Sequence, residues 1–243
     1  MDKWQRNFFI SDIPNNKIYS VNLKGQINVF DNNSGYANGL AVTEEGTIFY
    51  ARHDRNISKR NFESKSEIIA SHFKNKRLNS PNDLVYDSKG NLYFTDPPYG
   101  LLEGDDDKLK EIPFNGVYKL SPNGDIEVII KNLTRPNGIS ISNDEKTLYV
   151  ANSDNSNAII MEYELSEFGV KNPQIFFDGN ELARKDIVEA REYITTNNLQ
   201  PNNADIKDFR EDVFSGKILI IEPWHSVKLV HKVVIKFTIC VVP

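Results

Sequence analysis

The chain has 243 residues, 39% hydrophobic and 26% charged, with a formal net charge of -5. That balance is ordinary for a globular chain with one sizeable core, and its acidic surplus argues against a nucleic-acid partner, which needs a basic face. A single cysteine, Cys240, allows no intramolecular disulfide and leaves the redox compartment open. The most apolar run, Val233 to Val242, is broken by Lys236 and falls short of the roughly 18 residues of a spanning helix, so no membrane partner is expected. No signal-peptide core follows Met1; the expected location is cytoplasmic, or secreted or periplasmic if a signal lies upstream.

In chain order, Phe8 to Asp12 and Lys17 to Val21 read as the later strands of a repeat unit. Three further units then superimpose: Asn38-Gly39-Leu40-Ala41-Val42 running to Ala51, Pro81-Asn82-Asp83-Leu84-Val85 running to Asp96, and Pro136-Asn137-Gly138-Ile139 running to Ala151. Their asparagines lie 44 and 55 residues apart. Each unit opens on an Asn-Gly or Asn-Asp turn and a short apolar strand. A polar turn follows, and then a strand rich in β-branched and aromatic residues. Third and fourth strands come next, as in Gly116 to Leu120 with Ile126 to Ile130, and Ile159 to Tyr163 with Ile175 to Phe177.

Four antiparallel strands in roughly 40–50 residues form a β-propeller blade, so the predicted class is all-β with about four blades recognisable. After Gly179 the pattern stops. Residues 181–199 read as a helix with a capping box at Asp186 to Glu189, followed by strand-like Lys217 to Ile221 and Val227 to Val242. The expected division is therefore blades over 1–180 and an unmatched tail over 181–243. An open arc of blades leaves unpaired edges, so the chain is expected to be an incomplete version of a closed ring.

Leu78-Asn79-Ser80-Pro81-Asn82-Asp83-Leu84, Leu92-Tyr93-Phe94-Thr95-Asp96-Pro97-Pro98-Tyr99-Gly100 and Arg135-Pro136-Asn137-Gly138 resemble the gluconolactonase, regucalcin and luciferin-regenerating-enzyme family. Phe9 to Pro14, His53 with Arg55, and Phe114 to Tyr118 fit the same pattern, and the resemblance spans roughly residues 7–180. It implies a six-bladed propeller with one divalent cation, most often calcium, with magnesium, manganese or zinc as alternatives. It also implies hydrolysis of a small sugar-type lactone. By motif, Asn137 is the metal asparagine and Asn82 the adjacent one; oxygen-only donors suit a hard cation. The family's glutamate, ahead of its first Ser-Asp-Ile-Pro turn, and its aspartate in a later Pro-Asp-Gly turn have no counterpart here. In the family that aspartate would be the general base, so no catalytic residue is assigned in this chain, and two neutral amides predict weak calcium binding.

Three readings follow: a lactone hydrolase met as an incomplete chain, a non-catalytic propeller that has lost its metal carboxylates and kept a binding surface, or another esterase-like or calcium-binding role within the same propeller group. The asparagines, recurring in phase, would also serve as strand-opening turns. That structural role is favoured for Asn38, whereas the family match favours function for Asn82 and Asn137. Asp83 either orients Asn82 or holds the turn. His53, Arg55 and Tyr99 are candidates for the substrate side or for support of the site, with packing at the channel rim as the competing role of His53 and Arg55. Asp96 reads as a turn former. Asp105-Asp106-Asp107 reads as a solvated loop, with a lid over the channel mouth as the alternative.

Overall fold

The computed structural model describes residues 7–154, 156–167 and 169–180. These form four blade-like antiparallel sheets, each built from consecutive strands. The first holds β1 (Asn7–Asp12), β2 (Lys17–Asn22) and β3 (Ile27–Asp31). The second holds β4 (Ala37–Val42), β5 (Ile48–Arg52), β6 (Asn56–Arg60) and β7 (Glu67–Ala70). A short hairpin, β8 (His72–Phe73) with β9 (Lys76–Arg77), leads into the third. That sheet holds β10 (Leu84–Tyr86), β11 (Leu92–Asp96), β12 (Gly116–Leu120) and β13 (Ile126–Ile130), with a 3-10 turn over Gly104–Asp106 in the β11–β12 loop. The fourth holds β14 (Pro136–Ile141), β15 (Thr147–Asp154), β16 (Asn157–Ser166) and β17 (Gly169–Asp178).

Successive sheets stack through their opening strands: β1 packs on β4, β4 on β10, and β10 and β11 on β14. The core is accordingly divided into layers between blades. Phe9, Ile18, Leu40, Ile48 and Tyr50 fill the first layer. Ala41, Ala51, Ile57, Leu84, Leu92, Phe94 and Tyr118 fill the second, and Tyr93, Val117, Ile139, Leu148, Val150 and Tyr163 the third. Alternation along a strand explains the division. Leu92 and Phe94 point to one neighbour while Tyr93 points to the other, so each blade is apolar on both faces.

The polar turns of the three repeat units superimpose in detail. Gly46, Gly90 and Glu145 each donate a backbone N–H to the carbonyl three residues earlier, on Thr43, Asp87 and Ser142. All three have positive φ, at 80°, 81° and 56°. Glutamate is an uncommon occupant of that backbone region. Its carboxylate accepts hydrogen bonds from Ser88 N at 2.6 Å and Ser88 Oγ at 2.7 Å, which tie the third and fourth sheets together.

The all-β propeller reading holds, and among the described residues β1 and β2 pair with β3 in a three-stranded sheet. The expected helix over 181–199 and the strand-like stretches beyond it lie outside the described residues. No helix among the described residues is long and apolar enough to cross a membrane.

Candidate functional site

All three opening asparagines sit where a strand departs from regular pairing. The β4–β5 ladder shifts register between Ala37 and Leu40, around Asn38-Gly39, and the β14–β15 ladder shifts between Pro136 and Ile139, around Asn137-Gly138. Asn82-Asp83 lies just ahead of the paired part of β10. A bulge re-aims the side chains it carries, and this device recurs at the openings of the second and fourth sheets.

The backbone of each opening is held by the blade beside it. Gly39 N donates to Asn82 O at 2.8 Å, and Thr95 Oγ1 donates to Asn137 O at 2.7 Å. Asn82 N in turn donates to Thr95 O at 2.9 Å. Thr95 therefore touches both candidate asparagines through the main chain. Asp83 completes the arrangement: Oδ1 accepts from Leu84 N at 3.0 Å and Oδ2 accepts from Ile139 N, in the next blade, at 3.3 Å. On its other side Gly39 leaves no room, since a Cβ there would lie 2.4 Å from Asp83 Oδ1 and 2.6 Å from Asp83 Cα. Asp83 thus lies between the opening of the second sheet, at Gly39, and that of the fourth, at Ile139.

A second, largely buried layer supports the Asn82 loop. Asp96 Oδ2 accepts from Asn79 N at 2.8 Å. Asn79 Nδ2 donates to Asp96 O at 3.0 Å, to Phe114 O at 2.9 Å and to Asn115 Oδ1 at 3.3 Å. Ser80 Oγ bridges Pro97 O and Gly100 N, each at 2.7 Å. Burial pushes the Asp96 carboxyl up to about 7, against the opposing pull of the Asn79 and Ser80 N–H groups and of Arg55 and Lys110. Asp96 is thus more than the turn former its position at a strand end suggested. Asn79 and Thr95 were legible only as members of the motifs around Asn82 and Tyr93, without roles of their own.

The other sequence candidates separate. His53 lies beside Asn38, with Nε2 3.5 Å from Asn38 Nδ2. Arg55 is buried and donates through Nε to Leu78 O at 2.7 Å, next to the Asn79 node; its guanidinium supports the loop. Tyr99 is 40% exposed and sits next to Gly100. In the β11–β12 loop Asp105 is exposed, yet it is tied: it accepts from Asn115 Nδ2 at 2.9 Å and pairs with Arg135, just ahead of Asn137. The run is solvent-exposed at Asp105 and Asp106, as read, and at Asp105 the Arg135 ion pair and the buried Asn115 amide also fix the loop to the opening of the fourth sheet.

Amide oxygens at Asn38, Asn82 and Asn137 are hard donors and fit a calcium-like cation in kind. Asn38 Oδ1 is buried and has no hydrogen-bond partner among the described residues. Negative charge is scarcer: Asp83 is committed to two backbone donors. The described residues contain no group of three or more His, Cys, Asp or Glu placed to hold a metal.

Comparison with known proteins agrees with this architecture. The model of the SMP-30/gluconolactonase/LRE-like region matches residues 2–186. A gluconolactonase of Zymomonas mobilis is 36% identical over 185 residues, covering 69% of this chain and 52% of that protein. The chain thus spans about half the length of that relative. A gluconolactonase structure from Xanthomonas campestris superimposes with a TM-score of 0.65 at 27% identity, covering 71% of this chain and 60% of that one. The calcium-binding protein regucalcin from Agrobacterium tumefaciens shares the fold, with a TM-score of 0.53 at 17% identity. Blades stitched through in-phase asparagine openings, and a family match over most of the sequence, place the chain in the SMP-30/gluconolactonase/LRE-like family.

Proposed function

We propose that these blades, within residues 1–180, carry the site of a metal-dependent hydrolase of sugar-type lactones. The observation that supports it most directly is the shared anchoring of Asn82 and Asn137. Thr95 holds the backbone of both, and Asp83 locks the two blades together. Asn82 and Asn137 would hold the cation through their amide oxygens. A bound divalent cation supplies polarisation of the lactone carbonyl and a lower pKa for an attacking water. The chain's own residues provide position. Asp83 and Thr95 fix the spacing of the asparagines, Asp96 with Asn79 fixes the loop that carries Asn82, and His53 stands beside Asn38 on the substrate side. No described residue takes the proton-accepting role.

The test is ring opening of glucono-δ-lactone with added calcium, together with calcium calorimetry, on the chain and on Asn137→Ala. Weak calcium binding is expected for the chain, in the range of about 10⁻³ M or weaker, because affinity follows ligand charge. Asn137→Ala should abolish it and lower any ring opening at least about tenfold. Ring opening that is indifferent to Asn137→Ala sinks the assignment. The alternative, a non-catalytic propeller that keeps a binding surface, is favoured by the shortage of uncommitted carboxylates and wins if no lactone is opened at saturating calcium.

A further inference from the structure

A cleft of about 460 Å³ opens beside the asparagine cluster, lined among others by Ile13, Tyr36, His53, Arg55, Leu101 and Leu109. Its size is that of a small-molecule pocket. Its wall touches residues flanking the proposed site at two points. His53 in its wall adjoins Asn38. Gly100, also in its wall, is pressed so closely on His53 and Ser80 that a Cβ would lie 2.5 Å from His53 O and 2.8 Å from Ser80 Cβ.

The charged residues of this wall, Asp54, Arg55 and Arg77, have hydrogen-bond partners of their own. Arg55 Nε serves Leu78 O, and a guanidinium nitrogen of Arg77 serves Asp54 O at 3.1 Å. The Asp54 carboxylate takes Arg52 and, at 2.7 Å, Asn56 Nδ2. The cleft therefore offers aliphatic stems and the side chains of Ile13, Leu101, Leu109 and Tyr36, with few groups to satisfy the hydroxyls of a sugar. Leu109 is 65% exposed and Tyr36 48% exposed.

Tyr36 is also strained. Its φ of 57° follows Gly35 at 68°, and a bulky aromatic residue in the left-handed region is an outlier that needs a reason. The conformation is enforced from both sides: Tyr36 N donates to Asn16 Oδ1 at 2.8 Å, and Tyr36 O accepts from His53 N at 3.2 Å. Glycine would satisfy that backbone without strain. What tyrosine adds is a ring at the mouth of the cleft.

We propose that this cleft is a subsite for an apolar substituent on the lactone, so that δ-lactones bearing an alkyl chain bind there while sugar lactones do not. The inference rests on the lactone-hydrolase reading and is tested apart from it. Methyl-resolved NMR of the full chain, in calcium-free buffer, is titrated with δ-lactones carrying propyl, butyl and pentyl groups, with glucono-δ-lactone as the polyhydroxylated control. The alkyl lactones should move the Leu101 and Leu109 methyl signals, with affinity rising roughly fourfold for each added methylene; the control should leave them in place. Tyr36→Gly should keep its melting temperature and lose at least about fivefold in alkyl-lactone affinity, since it removes contact area while relieving the backbone. Leu109→Ser should lose about threefold. A flat chain-length series, or unchanged binding by a folded Tyr36→Gly, overturns the subsite. Ring opening with calcium is scored separately: binding with no ring opening of any lactone supports the subsite and counts against the hydrolase reading, whereas ring opening of glucono-δ-lactone without chain-length-dependent binding overturns the subsite alone.

Discussion

The openings of the third and fourth sheets share one sequence pattern, Pro-Asn followed by a small or acidic residue, and are built differently. At Pro81-Asn82-Asp83 both polar residues are buried, and the aspartate reaches into the next blade. At Pro136-Asn137-Gly138 the asparagine is half-buried and the glycine offers no side chain. One aspartate in place of glycine turns a strand opening into a joint between three blades. The Asn137 opening is a recipient, held by Thr95 and by the Asp83 carboxylate beside it. Rigidity at the candidate site thus originates on the Asn82 side.

The strongest way to break that asymmetry is at the joint itself. Asp83→Ala leaves the N–H groups of Leu84 and Ile139 without their acceptor, and should cost about 3 kcal/mol in urea unfolding. Gly39→Ala drives a Cβ into Asp83 backbone and should cost a similar amount, again about 3 kcal/mol. The two together should cost less than their sum, because they damage one contact. Asn137→Asp, on the recipient side, should leave stability within about 1 kcal/mol. A loss there as large as at Asp83 would remove the distinction between the two openings.

The next effect concerns Asp96, which supports the Asn82 side alone. Its folded-state carboxyl lies at about 7, above the ordinary value of 3.8. Between these values the folded protein keeps a proton that the unfolded chain releases, so stability falls as pH rises and levels off above about pH 7. The decline is on the order of 4 kcal/mol. Asp96→Asn, which resembles the protonated form, should flatten this part of the stability profile and be the more stable protein above pH 7. An unchanged slope in urea melts between pH 4 and 7 would show that Asp96 ionises freely.

The smallest effect is expected at the outer turn, where Glu145→Gly relieves a positive φ and loses the Ser88 hydrogen bonds. These oppose each other, so stability should change by less than about 1 kcal/mol. Thermal melts of Glu145→Gly and Glu145→Ala separate the two contributions, since alanine loses the hydrogen bonds and keeps the strain.

The strands of the repeat units were legible because alternation and turn chemistry agree along each of them. Leu92, Phe94 and Tyr93 read as a strand and fold as one. The β8–β9 hairpin escaped notice because its turn is Lys74-Asn75, both at positive φ, with no glycine to announce it. The strand β3 was missed because Ile27 and Val29 are exposed and show no buried partner pattern. At the site, the asparagines were found by their phase and by family motif. The reach of Asp83 to Ile139 spans 56 residues, and no local pattern encodes a contact of that length. Asp96 and Asn79 were hidden for the same reason: their role lies in burial and mutual hydrogen bonding, which composition and spacing do not carry. Arg55, read as a rim or packing group with a substrate-side role as the alternative, is buried and holds a carbonyl.

The direction of the bonds between blades bears on how the protein is made. Gly39 waits for Asn82, and Asp83 and Thr95 wait for Ile139 and Asn137; each partner emerges roughly one repeat later during synthesis. A nascent chain can therefore assemble from its N-terminal side, adding one sheet at a time. Each joint becomes complete only when the following strand opening leaves the ribosome. A pause in translation after residue 96 would leave the Asp83 carboxylate facing water on the side that Ile139 later covers, so this joint stays open until the fourth sheet begins.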